Sequence, residues 1–473
     1  MTSSLQAPRA ATASAPASAD LSIGADLLRR ELHGWAGLSV AALAIAGLLV
    51  LLIVPARTPV LQDMLPWDPN VFFRQALVTH VVFSVVIWFL GALGVLTVLA
   101  TDRMSGRMNQ RLRAAWLGPA GLGLTVFAML MLLAGTLAGL GNPSLNNYVP
   151  VLVHPLYYAG LAVLFAGVAL PVVRLLLNIA GREVPEPMPW GVASVGLTYL
   201  AAPVCFIAAW MQLPSSLPAE IYNEQLFWGG GHVLQVVNTG LLIVAWHMVT
   251  RAAWGEPLLP RRLFSLVTIA LPATAAAGVV YTVSRDVMSS DHYQAFTDLY
   301  LYALVVPAVV AMAGLAQVLW RCRARLDWRQ PAALGLLLSL VLFGIGGLLG
   351  YGLGHGDTRT PAHYHAVIGG VNLALMTLFA AVVLPVLGRA FTRARAVLWF
   401  LALYFAGQTI HSVGLYIAGT FGVARKTAGA EQGLDSAMKM AAMGVMGLGG
   451  LVAVLGGVLF VWMALRRLWP ATR

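Results

Sequence analysis

Two histidines two positions apart, His363 and His365 in TPAHYHAVIGG (residues 360–370), stand at the mouth of an apolar segment. On a helix they lie about 200° apart and point into different neighbouring spaces. A metal chelate on one helix face favours a spacing of three or four. This spacing suits two separate cofactors, one on each side of the helix. His80 in QALVTHVVFS and His232 in LFWGGGHVLQVVNTG stand toward the same side of two other apolar segments, and His292 lies in SSDHYQAFTD before a further one. A buried imidazole needs a hydrogen-bond partner or a metal, and these segments offer few carboxylates. His80, His232, His363 and His365 are therefore read together as cofactor ligands. Any single histidine can equally be a packing or interfacial residue, and His154, His355 and His411 take that reading first. His33 and His247 lie near the opposite surface and need no special role.

The elements that position these residues are membrane helices. The 473-residue chain is 59% hydrophobic and 10% charged, against roughly 25% charge in a soluble domain. The apolar runs predict an all-α polytopic bundle with spans at 35–56, 75–100, 115–138, 149–172, 190–212, 227–250, 263–283, 297–320, 331–353, 361–388, 396–421 and 440–465. Each is near the roughly 20 residues that cross a bilayer. Arginines cluster in alternate loops: Arg103 to Arg113 after the second span, Arg261 and Arg262 after the sixth, RCRARLDWR after the eighth, and Arg389 to Arg395 after the tenth. The positive-inside rule then places both termini in the cytoplasm. Asp63, Asp68, Glu220, Glu224, Asp286 and Asp291 fall on the other side, with Arg425 and Lys426 as exceptions. The net charge of +11 is thus a matter of membrane orientation, not of nucleic-acid binding. Residues 1–30, rich in Ala, Ser and Pro, are expected to be a disordered cytoplasmic tail ahead of a single membrane domain, 31–473. Cys205 and Cys322 make no disulfide scaffold, and no CxxCH for covalent heme occurs.

The AHYH of the tenth span, with the histidines of the second and sixth, resembles the catalytic subunit I of the heme-copper oxidase superfamily, which includes the bacterial nitric oxide reductases and the cbb3-like branch. The resemblance implies two non-covalent hemes. His363 would hold a high-spin heme, and His80 and His365 a bis-histidine low-spin heme, with the tenth helix wedged between them. His232 would face the open side of the high-spin heme as a ligand of a non-heme metal. The family usually supplies two adjacent histidines before the eighth span, and this chain has no HH. Asp291 and His292 are the nearest candidates. With His232 they make a two-histidine, one-carboxylate set that favours iron, copper being the alternative.

A second departure concerns tyrosine. Oxygen reductases of the family often carry one four residues beyond the histidine of the sixth span, where this chain has Val236; Tyr281 is a poor substitute from the seventh. Nitric oxide reductases usually place glutamate there. The expected activity is reductive coupling of two NO to N2O and water at the heme and non-heme metal pair. Oxygen reduction to water is the alternative, and a degenerate heme electron-transfer subunit the non-enzymatic one; a solute transporter explains the four shared histidines poorly. Glu220 and Glu224 are candidates to deliver protons from the outer side, and at least one of them reads equally as a solvated loop acid. Arg359 is expected to pair with a heme propionate and Asp357 to cap the tenth helix, while Gly229 to Gly231 would let a porphyrin or backbone approach or merely loosen the start of the sixth. Electrons would come from a c-type cytochrome or cupredoxin-like subunit, or from quinol. The expected location is a bacterial inner membrane, with the site toward the periplasm.

Overall fold

The computed structural model describes residues 26–106, 111–184, 186–354 and 356–469. His355, Arg107 and most of the expected tail lie outside them, while residues 26–30 are already helical. Among the described residues, twelve helices are long and apolar enough to cross a membrane: α1 Asp26–Arg57, α2 Pro69–Ser105, α3 Leu117–Leu137, α4 Pro155–Ile179, α5 Pro187–Gln212, α6 Ala219–Trp254, α7 Arg261–Ser284, α8 Ser290–Arg321, α9 Pro331–Gly352, α10 Arg359–Val386, α11 Ala394–Thr420 and α12 Ala437–Leu468. The protein is a multi-pass helical bundle, as the hydropathy pattern predicts.

The helices are not equivalent. In their most apolar stretches α2, α6 and α10 are 83%, 83% and 78% buried, against 28–56% for the other nine. These three carry His80, His232 and the His363–His365 pair. The outer helices present apolar side chains outward, as a lipid-facing surface must. Ends are set locally. Asp68 Oδ1 accepts from the amides of Asn70 (2.8 Å) and Val71 (3.2 Å), and Pro69 opens α2, which is a strong helix start. Ser289 caps α8 by accepting from His292 N at 3.2 Å.

The fourth span departs from expectation. Hydropathy starts it at residue 149, but α4 begins at Pro155. The preceding residues fold back as a short antiparallel pair, β1 Pro143–Ser144 with β2 Val151–Leu152. The stretch NPSLNNYVP holds two prolines and three asparagines, residues of turns. Asn146 Oδ1 accepts from the amides of Tyr148 (3.1 Å) and Val149 (2.8 Å), closing the turn. His154 then caps α4, its Nδ1 accepting from Leu156 N at 3.2 Å, which supports the structural reading of that histidine.

At the opposite, arginine-rich end, Arg174 of α4 and Glu31 of α1 form a fully buried ion pair, with Nη1 at 2.7 Å and 2.8 Å from the two carboxylate oxygens. Gly118 of α3 leaves the space that this pair fills.

Candidate functional site

Three histidines, His80 on α2, His363 on α10 and His411 on α11, share one device. His80 Nδ1 donates to the Ala46 carbonyl of α1 (3.1 Å), His363 Nδ1 to the Gly346 carbonyl of α9 (2.7 Å), and His411 Nδ1 to the Met446 carbonyl of α12 (2.9 Å). A carbonyl can only accept, so each ring carries its proton on Nδ1 and keeps the Nε2 lone pair for another partner. Metal-binding imidazoles are commonly oriented in this way. The backbone cooperates. After His80, α2 opens into a π-turn over Val82–Ile87, and the Ser84 hydroxyl donates to the His80 carbonyl at 2.6 Å. At Gly346 a Cβ would approach Val367 N at 2.5 Å, so only glycine lets α9 come close enough for its carbonyl to reach His363.

His363 and His365 do face different neighbours. His363 turns to α9, while the His365 ring meets His411 of α11 edge-on, with centroids 4.6 Å apart. His365 also lies within electrostatic range of His80 and Arg57. Arg57 has Nε and one Nη buried without a hydrogen-bond partner among the described residues, and its guanidinium lies over the Phe73 ring at 5.4 Å. The Nε2 atoms that the Nδ1 anchors leave on His80 and His363, beside an arginine with two buried nitrogens unpartnered among the described residues, fit hemes, which bring iron and carboxylates together. His80, His365 and His363 would hold them, with Arg57 for a propionate. Arg359, expected at a propionate, pairs through its guanidinium with Asp357, with Nη2 to Oδ2 at 2.7 Å. Asp357 also accepts from Arg359 N (2.9 Å), in keeping with its expected place at the start of α10.

His232 is different. Its Nδ1 donates to the Trp228 carbonyl one turn back (2.8 Å), and its Nε2 is met by the Tyr148 hydroxyl at 2.8 Å. The rings of Tyr148, Trp228, Tyr300 and Phe296 surround it, with centroids 4.5, 4.7, 4.6 and 5.0 Å away. The Tyr300 hydroxyl, on a π-turn of α8, donates to the His232 carbonyl at 3.0 Å. The triple glycine makes room for these side chains: a Cβ at Gly231 would collide with Tyr148, at Gly230 with Phe206 and at Gly229 with Thr282.

The three residues expected to share a metal are not assembled as a ligand set. Helix α8 begins at Ser290, so Asp291 and His292 are successive helical residues about 100° apart. His292 is fully buried against Phe296 (5.1 Å), with neither ring nitrogen in a well-formed hydrogen bond to a described residue. Asp291 is exposed, and its carbonyl accepts from Arg285 Nη1 at 2.9 Å. Among the described residues no group of three or more His, Cys, Asp or Glu is placed to hold a metal ion. The donor set does not fit the non-heme iron or copper that the resemblance implied.

Glu224, near the start of α6, and the loop residues Asn147 and Lys426 stand beside the Tyr148 turn. Glu224 accepts from the Asn147 amide (3.1 Å) and from its side chain, and Lys426 donates to Asn147 Oδ1 (2.9 Å) and the Leu145 carbonyl. Lys426 thus has a structural reason to stand among the acidic loops. Burial, with Arg425 adding and Glu224 and Glu220 opposing, lowers its pKa to about 8. Burial pushes the Tyr148 phenol well above its ordinary range, Glu224 adding and Arg425 opposing, so the hydroxyl keeps its proton. Glu220 is an exposed surface acid paired with Arg74 at 3.3 Å.

Tyr148, Tyr300 and Arg57 are not singled out by the sequence pattern, and His411 takes a packing role there first. The turn residues around Tyr148 were the one available signal.

Comparison with known proteins agrees with this architecture. A heme-copper terminal oxidase solved by cryo-EM as a dimer superposes with a TM-score of 0.75, over 95% of this chain and 86% of that one, at 15% identity. An uncharacterised protein of Aquifex aeolicus is 30% identical over 345 residues, 73% of this chain and 82% of its own. Another, of Rickettsia prowazekii, is 25% identical over 91% of this chain and 94% of its own. The family described as cytochrome c and quinol oxidase polypeptide I matches residues 34–465. With twelve spans, and histidines on the three central helices, the chain belongs to that family, and so to the subunit I superfamily of heme-copper oxidases.

Proposed function

We propose that this protein is a respiratory membrane oxidoreductase with two non-covalent hemes, one between His80 and His365 and one on His363, and that it reduces nitric oxide: 2 NO + 2 e⁻ + 2 H⁺ → N2O + H2O. The observation that supports the two-heme part of this reading is the wedge of α10, whose His363 turns to α9 while His365 turns to His411 of α11; the choice of NO rests on Val236 standing where oxygen reductases often carry tyrosine. When bound, heme would supply one-electron transfer at an iron saturated by two imidazoles and gas binding at an iron held by one. The carbonyls of Ala46 and Gly346 fix the ring planes of His80 and His363. Glu224 and Asn147 stand where protons would arrive from the acidic-loop side, with Tyr148 holding a hydroxyl proton at His232. No step is assigned to a non-heme metal.

Oxygen reduction to water is the second reading. It is favoured by Tyr148, which places a phenol in the pocket although Val236 occupies the expected tyrosine position. The arginine-rich loops support cytoplasmic termini in a bacterial inner membrane. An electron-donor subunit with c-type heme or copper, or quinol, would serve the opposite face.

The test is turnover of the purified membrane complex with NO and with O2 separately, under a chemically reduced donor. Rapid N2O formation with slow O2 uptake supports the first reading; the reverse supports the second. A preparation without heme absorbance would sink both.

A further inference from the structure

We propose that the pocket around His232 holds no non-heme metal, and that a hydrogen-bonded Tyr148–His232 pair, walled by aromatic rings, stands in the metal's place. This deepens the reading above, since it concerns the pocket expected beside the His363 heme.

The first argument is the imidazole itself. An ion would need a ring lone pair. The Trp228 carbonyl requires the proton on Nδ1, which leaves only Nε2, and that lone pair accepts from the Tyr148 hydroxyl at 2.8 Å. His232 therefore differs from His80, His363 and His411, which have the same Nδ1 anchor but, among the described residues, no such hydroxyl on Nε2.

The second argument is the surroundings. A structural or catalytic site for a divalent ion takes three or more donors about 2.0–2.2 Å from the metal. Around the His232 ring the structure offers Tyr148, Trp228, Phe296 and Tyr300, all at ring-contact distance. Asp291 is turned outward, because the residue beside it on α8, His292, is turned in. One imidazole with a second, separate imidazole nearby does not close a coordination shell.

The third argument is that Tyr148 is not an accidental occupant. Its backbone is held by Asn146, and its neighbour Asn147 is clamped between Glu224 and Lys426. The absence of a side chain at Gly231 leaves the space that the Tyr148 Cβ and ring occupy. Tyr148 stands on a hairpin fastened from α6 and from the loop before α12. The pocket thus presents a fixed hydrogen-bond donor where the family resemblance places a Lewis acid.

The experiment measures heme and metal independently. Heme in the purified holoprotein is quantified as pyridine hemochrome, and total iron and copper by mass spectrometry. Samples of wild type, Tyr148→Phe and His232→Gln are then incubated anaerobically with Fe(II) or Cu(I), desalted and measured again. We expect total iron equal to heme iron and no stoichiometric copper. After incubation all three proteins should retain the same background of metal, including Tyr148→Phe, in which Nε2 is free but the other ligands are missing. One equivalent of non-heme iron or copper in wild type, or retained by Tyr148→Phe and lost in Tyr148→Phe/His232→Gln, would overturn the inference. A protein without heme defeats the proposed function, while its iron and copper count still decides this one.

Discussion

Substituting Gly231 tests whether Tyr148 is seated as described. A Cβ added there overlaps the Tyr148 Cβ and Cγ and lies 3.0 Å from Cδ2, and all three nearest atoms belong to Tyr148. Carbon atoms pack at about 3.5–4.0 Å, so the tyrosine must retreat by on the order of 1 Å. A 2.8 Å hydrogen bond to His232 does not survive such a shift. Overpacking costs about 1–3 kcal/mol, and a buried unpaired group about 1–3 kcal/mol more. The better helix propensity of alanine returns about 1 kcal/mol. Gly231→Ala should therefore destabilise the protein by roughly 1–5 kcal/mol. In a Tyr148→Gly background the clash and the bond are both gone, and the same change should be neutral or slightly stabilising. The assay is a double-mutant cycle by denaturant unfolding in detergent, with a coupling of at least about 2 kcal/mol expected. Equal costs in the two backgrounds would refute the seating of Tyr148 against Gly231.

Other consequences follow from the same structure. Arg174→Met should cost about 3–5 kcal/mol by stranding the buried Glu31 carboxylate, and Arg174→Met/Glu31→Leu should recover most of that in the same unfolding assay. Lys426 has a folded pKa of about 8, below its unfolded value. Between about pH 8 and about pH 10.4 the unfolded chain therefore holds more protons, so this residue's contribution to stability rises with pH across that window and is level below it. The melting temperature of wild type should gain on that of Lys426→Met as pH rises from about 7.5 to about 10; a constant difference would contradict the burial of the ammonium. His80→Ala should abolish the low-spin heme spectrum and leave a carbon monoxide-sensitive heme, whereas His363→Ala should do the opposite. His411→Leu should keep both hemes but shift the low-spin electron paramagnetic resonance signal, because the ring packed on His365 is lost.

The spans, their number and the helices that matter were legible in the chain, because hydropathy and helical angle are local properties. Twenty-residue apolar runs must cross as helices, and two histidines two residues apart must part by about 200°. These facts suffice to place His363 and His365 against different neighbours. The start of α4 was misread because average hydropathy outweighed the prolines and asparagines of 143–150, and with that turn went Tyr148. The opposite facing of Asp291 and His292 is not legible in the sequence because the apolar run begins only at 297, whereas α8 reaches back to Ser290 and sets neighbouring side chains about 100° apart.

What only the tertiary structure decided is which donor atoms remain free. His232 and Tyr148 are 84 positions apart, and a hydroxyl from another part of the chain settles whether an Nε2 can take a metal. Arg57 and Arg359 are the same residue type, yet the first has two buried nitrogens without a partner among the described residues and the second is held by Asp357. Sequence determined the residues available and the face each presents. Packing determined their partners, because a hydrogen bond reaches only about 3 Å, and which groups come that close depends on how distant helices dock.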